Sequence, residues 1–230
     1  MDPRYKSEEN RDVAPASAGE FAPVAIGPLE VWPPVVLAPM AGITNPPYRR
    51  ICRRYGAGLY VSEMITARAL VERNEKTLRL AGFDSDEKPR SLQLYGVDPH
   101  WVGRAVEWLC GEGLVDHLDM NFGCPARPAT SRGGGEAPPA KPLLLARIVR
   151  AAVRAAGRVP VTIKFRMGID DDWLTFRDAG RIGEEEGCAA VAMHARTAAQ
   201  HYDGQAHWDA IAELKQHVRT IPVLGKGPVW

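Results

Sequence analysis

The chain has 230 residues, a formal net charge of +1, 45% hydrophobic residues and 25% charged residues, which excludes a disordered or fibrous chain and fits a globular one. No stretch approaches the roughly 18 uninterrupted apolar residues of a membrane helix, and the polar start Met1-Asp2-Pro3-Arg4-Tyr5-Lys6 argues against a secretory signal. The four cysteines, Cys52, Cys110, Cys124 and Cys188, form no Cys-x-x-Cys pair, which argues against a disulfide framework or a zinc ribbon; a cytoplasmic protein without membrane or metal is expected.

Residues 1–30 carry six acids against three bases and no sustained period, and they read as a flexible polar tail. From residue 31 to 230 the pattern is that of one catalytic domain. Short apolar runs begin at Val35-Val36-Leu37-Ala38 and continue at residues 58–61, 91–94, 115–120, 161–164, 190–193 and 221–224. These seven runs are read as strands, apolar on both faces. Between them, helical spacing predicts helices near 46–55, 66–81, 99–112, 142–156, 174–187 and 208–218. Asn45-Pro46, Asp98-Pro99 and Lys141-Pro142 give start signals, and Gly111, Gly157 and Gly187 give stops. Arg49, Arg50, Arg53 and Arg54 fall in a stretch without acids, and so does the stripe Arg147/Arg150/Arg154. Such a stripe could track a phosphate backbone, but a solvated helix face is the preferred reading.

Strand–helix alternation of this regularity implies a parallel sheet with helical crossovers. The unusual polar residues decide between a barrel and an open sheet. Met40, Glu63, Gln93, Asn121, Lys164 and His194 each fall at or just past the end of a different strand, the pattern of a barrel whose chemistry sits at one rim. An open sheet would gather its ligands at one switch point with a Gly-rich first turn. A TIM-type (β/α)8 barrel is therefore expected. With seven strands found, it is expected to be incomplete, lacking its last strand.

Asp119-Met120-Asn121-Phe122-Gly123-Cys124-Pro125 is the sharpest segment, because it carries a thiol from a strand end into a loop over the barrel mouth. An ordinary thiol, with a pKa of about 8.5, is protonated at neutral pH and can donate a proton. Cys52, Cys110 and Cys188 fall in helical patterns and read as buried apolar residues.

With Ala38-Pro39-Met40-Ala41-Gly42-Ile43-Thr44, Val61-Ser62-Glu63-Met64, Gln93-Leu94-Tyr95-Gly96, Lys164-Phe165-Arg166-Met167-Gly168, His194-Ala195-Arg196-Thr197 and Tyr202-Asp203-Gly204, that segment resembles the flavin-dependent tRNA-dihydrouridine synthases. The motifs keep their order from about residue 33 to 230. The resemblance implies an FMN barrel that reduces uridine in tRNA with electrons from NADPH. Hydride passes to C6 of the base, and Cys124 is implied as the donor of the proton to C5. FMN would lie against Pro39 and Met40 and near Gln93, Lys164, His194, Gly225 and Gly227. Asn121, Arg166 and Arg196 would hold the substrate. The target base would have to be extruded from the RNA.

The chain departs from the family at Gly225-Lys226-Gly227-Pro228, where Lys226 replaces an amide and Pro228 removes a backbone donor. The eighth strand, the C-terminal helical domain and the usual loop after Cys124 are not recognisable. The resemblance thus predicts a C-terminally truncated monomer with weakened FMN and tRNA binding and a tendency to aggregate. Two alternatives stand beside it: another FMN barrel acting on a free pyrimidine, of the dihydroorotate-dehydrogenase kind, and an inactive remnant.

Overall fold

The computed structural model describes residue 17 and residues 19–123 and 138–227. Cys124 and Pro228 lie outside these residues. A short antiparallel hairpin, β1 (Val24–Ile26) and β2 (Leu29–Val31), precedes the main sheet. Strands and helices then alternate: β3 (Val36–Leu37), α1 (Pro46–Cys52), β4 (Leu59–Thr66), α2 (Ala67–Val71), α3 (Glu75–Leu80), β5 (Ser91–Tyr95) and α4 (Pro99–Gly111). They are followed by β6 (His117–Phe122), α5 (Pro142–Ala156), β7 (Val161–Arg166), α6 (Phe176–Glu185), β8 (Ala190–His194), α7 (Trp208–His217) and β9 (Val223–Lys226). Strands β3 to β9 pair in chain order, each parallel to its neighbour. A helical return between strands brings the next strand in parallel. The sheet curls into an incomplete TIM-type barrel, and among the described residues β3 and β9 are not paired with each other.

The seven expected runs all form strands, but the expected faces need correction. On β5, β6 and β7 only the outward face is apolar, whereas β3, β4, β8 and β9 also turn Val36, Leu59, Val61, Ala192 and Leu224 toward the interior cavity. Leu92, Leu94, Leu118, Met120, Ile163, Phe165, Val191 and Met193 are buried with Val102, Val106, Ile148, Ala152 and Leu214 of the surrounding helices. In β5, β6 and β7 the residues between them are polar: Ser91 and Gln93, then His117, Asp119 and Asn121, then Thr162, Lys164 and Arg166. Side chains alternate across a strand, so these polar residues share the barrel interior. The strands also run further than expected, which places Glu63, Gln93 and Lys164 within β4, β5 and β7 rather than at or just past their ends.

Two further segments differ from expectation. The helix expected over 66–81 is two helices. Arg73 takes a positive φ of 58° between them, and the Asn74 side chain accepts from Thr77 N at 3.1 Å to start α3. The segment read as tail ends in the β1–β2 hairpin. Gly27, at a φ of +57° and followed by Pro28, closes a two-residue turn of the type that suits hairpin twist. Ile26 and Val31 are buried against Leu59, Val61 and Ala190, with Val36 and Leu224 packed around them.

The arginines of α1 do not form an open basic patch. Arg49 is fully buried, and its guanidinium pairs with Glu87, with Nη2 donating to Oε2 at 2.9 Å. Arg50 and Arg53 pair with Asp84 and Asp86. The stripe on α5 lies on that helix's exposed face, where Arg150 pairs with Glu186, as a solvated face should. No described helix is long and apolar enough to cross a membrane.

Candidate active site

Register brings the inward-facing side chains together. Asn121 stands opposite Lys164 across β6 and β7. At the rim, Arg166, His194 and Lys226 line up across β7, β8 and β9. Inside the barrel a cavity of about 80 Å³ is lined by Ala38 and Pro39, by Asp119 and Lys164, and by Leu224 and Lys226, among others.

The first group is a continuous hydrogen-bonded row. Gln93 Nε2 donates to Asp119 Oδ2 at 2.6 Å, and Asn121 Nδ2 donates to Gln93 Oε1 at 2.9 Å. Thr162 Oγ1 donates to Asp119 Oδ1 at 2.6 Å. His117 Nε2 lies 3.1 Å from Thr162 Oγ1, and its Nδ1 lies 2.7 Å from Ser91 Oγ. Burial pushes the Asp119 carboxyl up to about 6, against the hydrogen bonds from Thr162 and Gln93 and the charge of Lys164, which favour the ionised form. Burial pushes His117 down to about 4.

The second group is cationic. Lys226, Lys164, Arg166 and Arg196 surround His194, and burial together with these charges holds its imidazole well below the usual histidine range. Arg196 Nη1 lies 3.3 Å from His194 Nε2. A guanidinium can only donate, so that nitrogen accepts and the ring is neutral. Arg196 Nη2 donates to Gly204 O at 2.7 Å, while its buried Nε has no hydrogen-bond partner among the described residues. Burial and the neighbouring Arg166 and Arg196 lower Lys226. The Tyr202 ring lies beneath the Arg166 guanidinium, 5.5 Å away, and 5.8 Å from Lys226 Nζ.

The loops that carry the other expected residues are held from within. Glu63 Oε2 accepts from Gly42 N at 2.9 Å, and Met40 N donates to Thr44 Oγ1 at 3.0 Å, which shapes the turn after Pro39. Gly123 N donates to Asn121 Oδ1 at 3.1 Å, and Gly123 O accepts from Arg166 Nε at 3.2 Å. A Cβ on Gly123 would come within 2.8 Å of Arg166 N. The residue before Cys124 is thus seated on the end of β7.

Most of the expected residues converge. Gln93, Asn121 and Lys164 form one cluster, and His194, Arg166 and Arg196 form the other. Arg166 also donates to Thr197 O and His201 O, at 2.9 and 2.7 Å, so it braces the β8–α7 loop. Gly225 and Gly227 are small for a packing reason. A Cβ at Gly225 would meet Ile211 at 2.8 Å, and one at Gly227 would meet Ala206 at 2.7 Å and Trp208 at 2.9 Å. Lys226, read from sequence as a departure, joins the cationic group. Asp119, His117, Ser91 and Thr162 were not among the expected site residues, although the alternation along His117–Asn121 carries the signal. Of the cysteines expected to be buried, Cys188 is buried while Cys52 and Cys110 are half-buried; burial raises the thiols of Cys110, to about 11, and of Cys188, and Cys124 lies outside the described residues.

Comparison with known proteins follows the same outline. A family model described as dihydrouridine synthase (Dus) matches residues 36–230. A probable tRNA-dihydrouridine synthase of Mycobacterium tuberculosis is 58% identical over 214 residues, covering 89% of this chain and 55% of that protein. A tRNA-dihydrouridine synthase B of Pseudomonas aeruginosa is 38% identical over 206 residues, covering 90% of this chain and 61% of that protein. The chain therefore spans a little over half the length of these curated relatives. The old yellow enzyme from Trypanosoma cruzi shares the fold, with a TM-score of 0.52 and 7% identity over 88% of this chain and 87% of that one. Motifs in family order, an incomplete barrel of a known fold and a family match over the whole of β3 to β9 agree: the chain belongs to the dihydrouridine synthase family.

Proposed function

We propose that this chain forms the reductive barrel of a tRNA-dihydrouridine synthase, converting uridine in tRNA to 5,6-dihydrouridine with FMN and NADPH. The observation that carries the reading is the meeting of Gln93, Asn121 and Lys164 beside a cation-rich rim. The rim fits an anionic cofactor. Arg196 keeps a buried N–H without an acceptor among the described residues, and Lys226, Arg166 and Arg196 supply positive charge around it. FMN would be held by Pro39, Met40, Gln93, Lys164 and His194, with its phosphate toward Arg196 and Lys226. When bound and reduced by NADPH, FMN supplies the hydride equivalent to C6 of the base.

The chain's own residues do the rest. Asn121 and Arg166 hold the polar edge of an extruded uracil, and neutral His194 leaves the rim's positive charge to the arginines and lysines. Lys164 stabilises negative charge where it develops. Cys124 Sγ releases its proton to C5. An unpaired loop nucleotide is the cheapest substrate to extrude, which favours tRNA loop positions.

The test uses the purified chain with FMN, NADPH and unmodified tRNA, with dihydrouridine read by mass spectrometry. Wild type should form dihydrouridine, Cys124→Ala should retain FMN and lose product, and Lys164→Met should weaken FMN binding by about tenfold or more. Product from Cys124→Ala at the wild-type rate would remove the proton-donor role. Turnover of free dihydroorotate without turnover of tRNA would replace the substrate.

A further inference from the structure

The polar row inside the barrel has a direction. An ionised carboxylate only accepts hydrogen bonds, so every group touching Asp119 must donate to it. Thr162 commits its one hydroxyl proton to Oδ1. Its oxygen must then accept from His117 Nε2–H, so Nδ1 carries no proton and accepts from Ser91 Oγ–H. On the other side Gln93 must turn its NH2 to Oδ2. That turns Gln93 Oε1 toward Asn121 Nδ2, and leaves Asn121 Oδ1 to accept from Gly123 N–H. All these side chains except Asn121 are buried, where a wrongly faced amide would leave unmet donors.

We propose that Asp119 is the positioning residue of this site: its carboxylate sets which way the Gln93 and Asn121 amides face, and so which atoms of each are offered to a bound flavin and base. Asp119 itself acts through those two amides. The sense of the proposal for FMN and uracil rests on the proposed function; the direction of the row does not. The same carboxylate, through Asn121, orders the backbone N–H just before Cys124.

The test begins with the wild-type chain at pH 7.5. A long-range 1H–15N correlation of the histidine rings, with His117 identified by its loss in His117→Gln, should show a neutral ring protonated at Nε2. Protonation at Nδ1, or a charged ring, overturns the proposal without any variant at 119. In Asp119→Asn, one side of the carboxylate becomes a donor, so one limb of the row must reverse. Either the His117 proton moves to Nδ1, or the Gly123 amide loses its acceptor and its proton resonance moves upfield. A folded Asp119→Asn with both signals unchanged overturns the proposal, since a merely structural aspartate would move neither. FMN titration supplies the functional arm: where the Gln93–Asn121 limb is the one that reverses, Asp119→Asn should bind FMN about tenfold or more weakly, and wild-type affinity with that limb reversed would show that amide direction does not matter. If the wild-type chain takes up no FMN, the proposed function fails, while the ring tautomer still decides the role of Asp119.

Discussion

At the scale of single residues, His117 and Asp119 form a neighbouring, fully buried pair whose titrations oppose each other. Asp119 has its folded value raised from 3.8 to about 6 by burial. The folded state therefore holds the extra proton between those values, and the contribution of Asp119 to stability declines as pH rises through that window. His117 is lowered from 6.5 to about 4 by burial. The unfolded chain there binds the extra proton, so the His117 contribution grows as pH rises from about 4 to 6.5. Urea midpoints between pH 4 and 6.5 should separate the two. Asp119→Asn should make stability rise more steeply with pH than in wild type, and His117→Gln should make it rise less. Slopes identical in all three proteins would mean that neither group titrates as its burial requires. The row was legible in the sequence only in part. The alternation His117-Leu118-Asp119-Met120-Asn121 is visible, but the flanking apolar residues of a parallel strand make it look like a run buried on both faces. Ser91 and Thr162 look like ordinary strand residues, and only the register shows that they touch His117.

At the scale of elements, α1 is fastened to the segment between α3 and β5 more than to the sheet. Arg49 Nη1 donates to Thr44 O at 2.7 Å and Nη2 to Gly82 O at 3.2 Å. Its guanidinium also pairs with Glu87 and lies 5.1 Å from the Phe83 ring centroid. Both members of the pair are buried. Arg49→Ala leaves a buried carboxylate alone and should cost about 3–5 kcal/mol in chemical denaturation. The double variant Arg49→Met/Glu87→Leu should recover much of that loss, because the uncompensated charge is gone. A single variant as stable as wild type would mean that Glu87 reaches water. Composition showed only that these arginines fall in a stretch without acids, because their partners lie about 30 residues or more further along the chain. The strands and helix starts were legible because they rest on local signals: Asn45 and Asp98 cap α1 and α4 through their side chains. The break at Arg73–Asn74 also had a local signal in the Asn-Glu start of α3, but continuous helical spacing across it masked the stop. The roles of Gly225 and Gly227 were not legible, since a family resemblance marks the positions without saying that Trp208, Ile211 and Ala206 press against them.

At the scale of the whole molecule, the curled sheet has its first and last strands unpaired with each other among the described residues, and the hairpin connects them instead. Ile26 and Val31 pack at once on β4, through Leu59 and Val61, and on Ala190 at the start of β8, with Val36 of β3 and Leu224 of β9 at the margins. Ile26 also lines the interior cavity, together with Pro39, Asp119 and Lys226. Strands β5, β6 and β7 hold no residue of that cluster and sit instead in the larger core beneath α4, α5 and α6. Cooperativity should therefore divide along the same line. Replacing Ile26 and Val31 by Asp places two charges against apolar surface, which buried carboxylates without partners do not tolerate. Hydrogen exchange on Ile26→Asp/Val31→Asp should show protection lost in β3, β8 and β9 while β5 to β7 stay close to the wild-type level. FMN binding should weaken along with these strands, because Pro39 follows β3, His194 ends β8 and Lys226 ends β9. Uniform loss of protection across all seven strands would show that the sheet opens as one unit, and unchanged protection at β3 and β9 would show that the hairpin rests on the barrel without joining its ends.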